Sequence, residues 1–198
     1  MKTLEEKLGY TFSNPALLEN ALTHSSCANE SRGRLQSNER LEFLGDSILG
    51  MMVAEHLYRN FPDRPEGELT RMRADMVCEQ SLALIANKSG LGGFLLLGHG
   101  EERFGGRNRN SILADAVESV IAACYLDGGY EAALGFVTTF VLSDVPVVKL
   151  HNVDYKTALQ EKVQQKKNQT LHYHLVGEEG PDHDKRFRVE VLLNGSPI

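Results

Sequence analysis

The chain has 198 residues, of which 41% are hydrophobic and 24% charged, proportions ordinary for one full globular domain plus a small second one. Its net charge of −6 argues against a protein that simply coats nucleic acid. Cys27, Cys78 and Cys124 are widely spaced with no CxxC pair, which disfavours a disulfide scaffold or zinc cage and points to a reducing cytoplasm.

The N-terminus, MKTLEEKLGY, is amphipathic, and no uninterrupted apolar span stands out, so neither a signal peptide nor a membrane helix is expected. Thr3-Leu4-Glu5-Glu6 has the capping-box pattern of a short first helix. Asn14-Pro15 then offers an N-cap followed by proline at the first helical position, with Leu17, Leu18, Ala21 and Leu22 at helical spacing. His24 and its serine neighbours read as capping or packing residues, and Asn29 to Ser37 as a flexible polar stretch. The longest periodic segment runs from about Asn38 to Asn60 and ends at Phe61-Pro62, because proline cannot continue a helix.

Further helices are predicted over Glu66–Val77, Gln80–Ser89, Ser111–Leu126 and Tyr130–Leu142, with the Gly- and Arg-rich GHGEERFGGRNRN as a loop. That loop holds neither a P-loop nor a GxGxxG pattern. Ser143 to Val153, with Pro146 inside, reads as a linker. A helix over Asp154–Lys167 follows, and then two strands of period two around Leu171–Leu175 and Phe187–Leu193. A helix and a hairpin make too small a unit to be a finished domain, and more chain would be expected after Asn194–Ile198. His172 and His174 share a strand face without a third ligand, so surface placement is the expectation.

Residues 1–142 carry 13 basic and 19 acidic side chains, while 143–198 carry 8 of each. The acidity therefore belongs to the first part. Within NERLEFLGDS (38–47), Glu39, Glu42 and Asp46 share one helix face. Such a face is often simply solvated, and Arg40, Arg71 or Arg73 could neutralise it. Asp115 and Glu118 are harder to explain in that way, since they are the only charges between Ile112 and Leu126 on an otherwise apolar helix. Buried carboxyls must protonate unless a cation meets them. If the two acidic faces oppose each other, four carboxylates form a hard-oxygen site suited to Mg²⁺ or Mn²⁺.

NERLEFLGDS resembles the signature of the ribonuclease III family over ten consecutive residues, supported in order by LTHSS (22–26), EGELTRMRA (66–74) and SILADAVE (111–118). DYKTALQE (154–161) through GPDH (180–183) is similar to the opening of a double-stranded-RNA-binding domain. The resemblance implies a mostly α fold: an all-helical endonuclease domain (1–142), a linker (143–153) and a C-terminally truncated α+β RNA-binding domain of α-β-β-β-α type (154–198). It implies a homodimeric, Mg²⁺-dependent endoribonuclease that cuts duplex RNA to 5′-phosphate and 3′-hydroxyl ends with short 3′ overhangs. Such an enzyme matures ribosomal and messenger RNA. Glu39, Asp46, Asp115 and Glu118 would be the metal carboxylates, with Asp46 and Glu118 catalytic. Glu42 and Glu66 would make further metal or RNA contacts, and Phe43 would lie at the dimer interface. Thr157, Gln160, Glu161 and His183 would meet RNA. Arg103, Arg107 and Arg109 in the Gly-rich loop read either as phosphate contacts or as a merely solvated basic loop. A duplex-binding regulator and a di-iron oxidase are the competing readings. The first gains nothing from carboxylates that repel phosphate, and the second needs Glu-x-x-His pairs that the chain lacks.

Overall fold

The computed structural model describes residues 2–143, 159–160, 162–163, 166, 168–180 and 185–198. The expected linker, most of the expected helix over Asp154–Lys167, and Thr157, Glu161 and His183 lie outside the described residues. Contacts divide the chain into two units, Met1–His151 and Asn152–Ile198.

The first unit is helical: α1 (Lys2–Leu8), α2 (Pro15–Ala21), α3 (Ser25–Glu30), α4 (Glu39–Asn60), α5 (Glu66–Val77), α6 (Glu79–Ser89), α7 (His99–Arg103) and α8 (Asn110–Val137). Helix α8 is apolar on all sides, as a central helix must be, and packs against α4, α6 and α2. Ala116, Val117, Val120, Ile121, Ala122, Ala123 and Cys124 are fully buried there. Residues 110–142 are long and apolar enough by composition to cross a bilayer, contrary to the expectation that no such span exists. Their burial in the bundle explains that composition. Gly129 breaks α8 with φ +74 and ψ −163, which separates the two helices predicted on either side of it.

Several local predictions are corrected. Thr3 lies inside α1 rather than capping it, and the Glu5 carboxylate instead accepts from the Phe12 amide at 2.8 Å. Asn14 does cap α2, accepting from the Ala16 amide. Helices α3 and α7 fall in stretches read as polar patch or loop. His24 caps α3 by accepting from the Ser26 amide, and His99 of α7 pairs with Glu30 of α3 at 2.7 Å.

Asp127 ties the second part of α8 to the N-terminal segment. It accepts from the Tyr10 hydroxyl and from the Ser13 and Asn14 amides, each at 2.8 Å. Partial burial opposes its ionisation, but these hydrogen bonds win and hold its carboxyl below the ordinary carboxylate range. Asp127→Ala is therefore expected to cost about 2 kcal/mol in urea unfolding at pH 7. Because the native value is depressed, that contribution is present above the ordinary carboxylate value and fades as pH falls through the native one. Equal stability of the two proteins at pH 7 would refute the assignment.

The second unit holds an antiparallel sheet of order β1 (Leu171–Glu179), β2 (Arg186–Leu193) and β3 (Ser196–Pro197), with a bulge between Leu175 and Gly177. The predicted two-strand hairpin gains the start of a third strand. Asn194 (φ 50) and Gly195 (φ 83) turn the chain, and Ser196–Pro197 pairs back on β2. Among the described residues before the sheet, Leu159, Gln160, Lys162 and Val163 are helical. His172 and His174 are exposed, as expected.

Candidate active site

The α4–α8 crossing builds the site. Gly45 lies directly against the backbone of Glu118, so close that a Cβ there would overlap the Glu118 carbonyl. One turn before this contact on α4 is Glu42, and one residue after it is Asp46. Glu42, Asp115 and Glu118 are each half-buried, and carboxylate oxygens from all three lie within 4.8 Å of one another.

The electrostatics are those of a site lacking counter-charge. Burial, followed by the charges of Asp46, Asp115 and Glu42, pushes Glu118 up to about 8. Burial also raises Glu42, with Asp115, Glu39 and Asp46 adding to the shift. Asp115 is raised first by burial and then by Glu79. The named charges that raise the three are all carboxylates: Glu39, Glu42, Asp46, Glu79 and Asp115. Three carboxylates drawn this close, each raised above its ordinary value, are the donor set for a hard divalent cation.

The expected four-carboxylate face is thus only partly assembled. Asp115 and Glu118 meet as anticipated, and Asp46 acts on Glu118 through its charge while remaining exposed. Glu42 rather than Glu39 completes the cluster. Glu39, two turns before the contact, is exposed and accepts from the Ser37 hydroxyl at 2.7 Å. Glu66, at the exposed start of α5, accepts from the Thr70 hydroxyl at 2.8 Å. Phe43, next to Glu42 in the chain, has 77% of its surface exposed. Glu79, the first residue of α6, escaped sequence reasoning because nothing in its local pattern marks its approach to Asp115.

The arginines of the Gly-rich loop have intramolecular duties. Arg107 forks onto Glu102 and donates to the Gly92 carbonyl at 2.6 Å, holding the loop against the turn after α6. Arg109 lies 3.1 Å from Glu101. Arg103 ends α7. Gln160 is half-buried in its helical segment.

The Ribonuclease-III-like family pattern matches residues 14–145, and the double-stranded RNA binding motif matches residues 155–198. The chain belongs to the ribonuclease III family. It is 51% identical to Ribonuclease 3 of Desulforamulus reducens over 199 residues, covering 98% of this chain and 80% of that protein. Identity to Ribonuclease 3 of Oceanobacillus iheyensis is 48% over 195 residues, covering 98% and 86% respectively. A solved nuclease domain of ribonuclease III from Campylobacter jejuni, described as flexible in a region involved in dimer formation, superposes with a TM-score of 0.68 at 40% identity. It covers 74% of this chain and 99% of its own. Ribonuclease III enzymes are metal-dependent endoribonucleases of double-stranded RNA, and this chain is one of them.

Proposed function

We propose that the α4–α8 carboxylate cluster is the catalytic centre and that Mg²⁺, with Mn²⁺ as a substitute, is its cation. The observation that carries this reading is the convergence of Glu42, Asp115 and Glu118 within 4.8 Å, where burial and neighbouring carboxylates crowd Glu118. Glu42, Asp115 and Glu118 would hold the ion, and Asp46 adds negative charge at its edge. Glu39 stands further out, exposed to solvent. Bound there, a divalent cation supplies Lewis acidity to water and to a phosphoryl oxygen.

The protein's own part is to fix the donors on two rigid helices and to accept protons. Glu118, released from its raised value by a neighbouring positive charge, becomes a carboxylate able to orient water for in-line attack on phosphorus. Water adds across the P–O3′ bond, leaving a 5′-phosphate and a 3′-hydroxyl that carries away the second proton. Two such centres in a homodimer, with Phe43 at the contact, would cut opposite strands with a short 3′ overhang.

Residues 1–142 form the nuclease domain in this reading, joined by 143–153 to the RNA-binding part at 154–198. Thr157, Gln160, Glu161 and His183 contact the RNA minor grooves. Arg103 and Arg109 contribute phosphate contacts, and Arg107 shapes the loop that carries them. The working compartment is the cytoplasm, and ribosomal and messenger RNA precursors are the substrates.

The test is a gel of end-labelled long duplex RNA incubated with the protein and Mg²⁺ or Ca²⁺. Cutting in Mg²⁺ to fragments with 5′-phosphates is the expected result. Retarded but intact RNA under both conditions would favour a duplex-binding regulator instead.

A further inference from the structure

Asn38 precedes α4, where an asparagine ordinarily caps the helix with its own side chain. Here it does not cap. It is only 4% exposed, and its hydrogen bonds go to other elements and to the start of the helix. Its backbone amide donates to the Thr23 carbonyl at 2.8 Å, and its side-chain amide donates to the Ala21 carbonyl at 3.4 Å. Its carbonyl accepts from the Leu41 amide at 2.8 Å, from the Glu42 amide at 2.9 Å and from the hydroxyl of fully buried Ser119 at 3.3 Å.

One oxygen is therefore shared among the Leu41 and Glu42 amides of α4 and the side chain next to Glu118 on α8. Thr23 is itself fixed, its hydroxyl donating to the Glu19 carbonyl at 2.7 Å and its backbone bridging to Leu96. The Gly45 contact sets how near the two helices lie. It leaves free how far α4 slides or rolls along α8, and a second fixed point is needed to define where Glu42 stands.

We infer that Asn38, with Ser119 as its partner on α8, is a positioning residue that sets the register of Glu42 against Asp115 and Glu118. This rests on the reading of that cluster as a cation site. Groups that orient metal-binding carboxylates typically change metal affinity 10- to 100-fold when removed.

The experiment is calorimetric titration of the full chain with Mn²⁺, without RNA, alongside thermal melts. Ser119→Ala, which removes the α8 donor to the Asn38 carbonyl, is expected to bind Mn²⁺ about tenfold more weakly, and Asn38→Ala, which keeps that carbonyl and loses the side-chain tether to Ala21, to bind it more weakly by a smaller factor. The control is Ser89→Ala. Ser89 is also buried, and its hydroxyl donates to the Ile85 and Ala86 carbonyls at 2.9 and 3.1 Å, away from the cluster. It should melt earlier with unchanged Mn²⁺ affinity. If Asn38→Ala and Ser119→Ala melt earlier yet bind Mn²⁺ as the parent does, positioning is overturned. It is equally overturned if Ser89→Ala loses affinity in parallel. A parent chain that binds no Mn²⁺ overturns the cation-site reading itself, which separates the two failures.

Discussion

Gly45→Ala is expected to abolish duplex cleavage and to destabilise the first unit by about 1–3 kcal/mol, the range for forcing a methyl group into a filled core. The added Cβ would coincide with the backbone carbonyl of Glu118. Backbone on a central helix cannot swing aside as a lysine tip can, so α4 and α8 must separate or rotate. Either movement spreads Glu42 from Asp115 and Glu118, whose oxygens now lie within 4.8 Å. Catalytic groups tolerate little displacement, and an ångström can cost about a hundredfold. The same helix provides its own control. Gly50 has nothing within 4 Å of where a Cβ would be built, so Gly50→Ala gains helix propensity without a clash. It should raise the melting temperature and leave cleavage intact. The paired measurement is cleavage rate and melting temperature for both variants. A fully active Gly45→Ala protein would show that the close crossing does not define the site.

The contrast between those glycines marks where sequence reasoning stops. Both stand in one long helical segment with the same local preferences, and only the tertiary crossing distinguishes them. The different positions of Glu39 and Glu42 arise in the same way. Periodicity places both on one face, but which of them approaches α8 depends on the position of the Gly45 contact. By contrast, the predicted bounds of α5, Glu66–Val77, coincide with those observed, because Pro65 and the end of the apolar pattern are local signals. The break near Gly129 was legible for the same reason.

Short helices α3 and α7 left no periodic trace. Long-range side-chain contacts support them: Ser26 accepts from the Gly98 amide at 2.9 Å, and Glu30 accepts from the His99 amide at 3.1 Å. The start of β3 did carry a signal, since Asn-Gly is the dipeptide preferred where two successive residues take positive φ in a hairpin. Asp115 and Glu118 stood out because two charges on an otherwise apolar helix demand an explanation, whereas Glu79 and the duty of Arg107 depend on contacts that no spacing encodes.

Glu118→Gln is expected to move activity and metal-free stability in opposite directions. Cleavage should fall about a thousandfold, the scale on which a single charge-stabilising group acts in a transition state. Stability follows from linkage. In the native protein without cation, burial and the neighbouring Asp46, Asp115 and Glu42 hold the Glu118 carboxyl at about 8, against an ordinary value of 4.5. Below the ordinary value both native and unfolded chains are protonated there, and the group contributes no pH dependence. Between the two values the native state keeps a proton that the unfolded chain has released, so stability falls as pH rises. Above the native value the folded protein bears the full cost of a crowded carboxylate. Glutamine fills the same space without ionising and removes this penalty. Melting temperatures of the metal-free parent should therefore drop from pH 5 to pH 9 more steeply than those of Glu118→Gln, with the variant the more stable at the alkaline end. Added Mg²⁺ should restore the parent at high pH and do little for the variant, because binding to the native state alone stabilises by mass action. Parallel pH profiles for the two proteins, with and without Mg²⁺, would mean that Glu118 is neither crowded nor facing a cation.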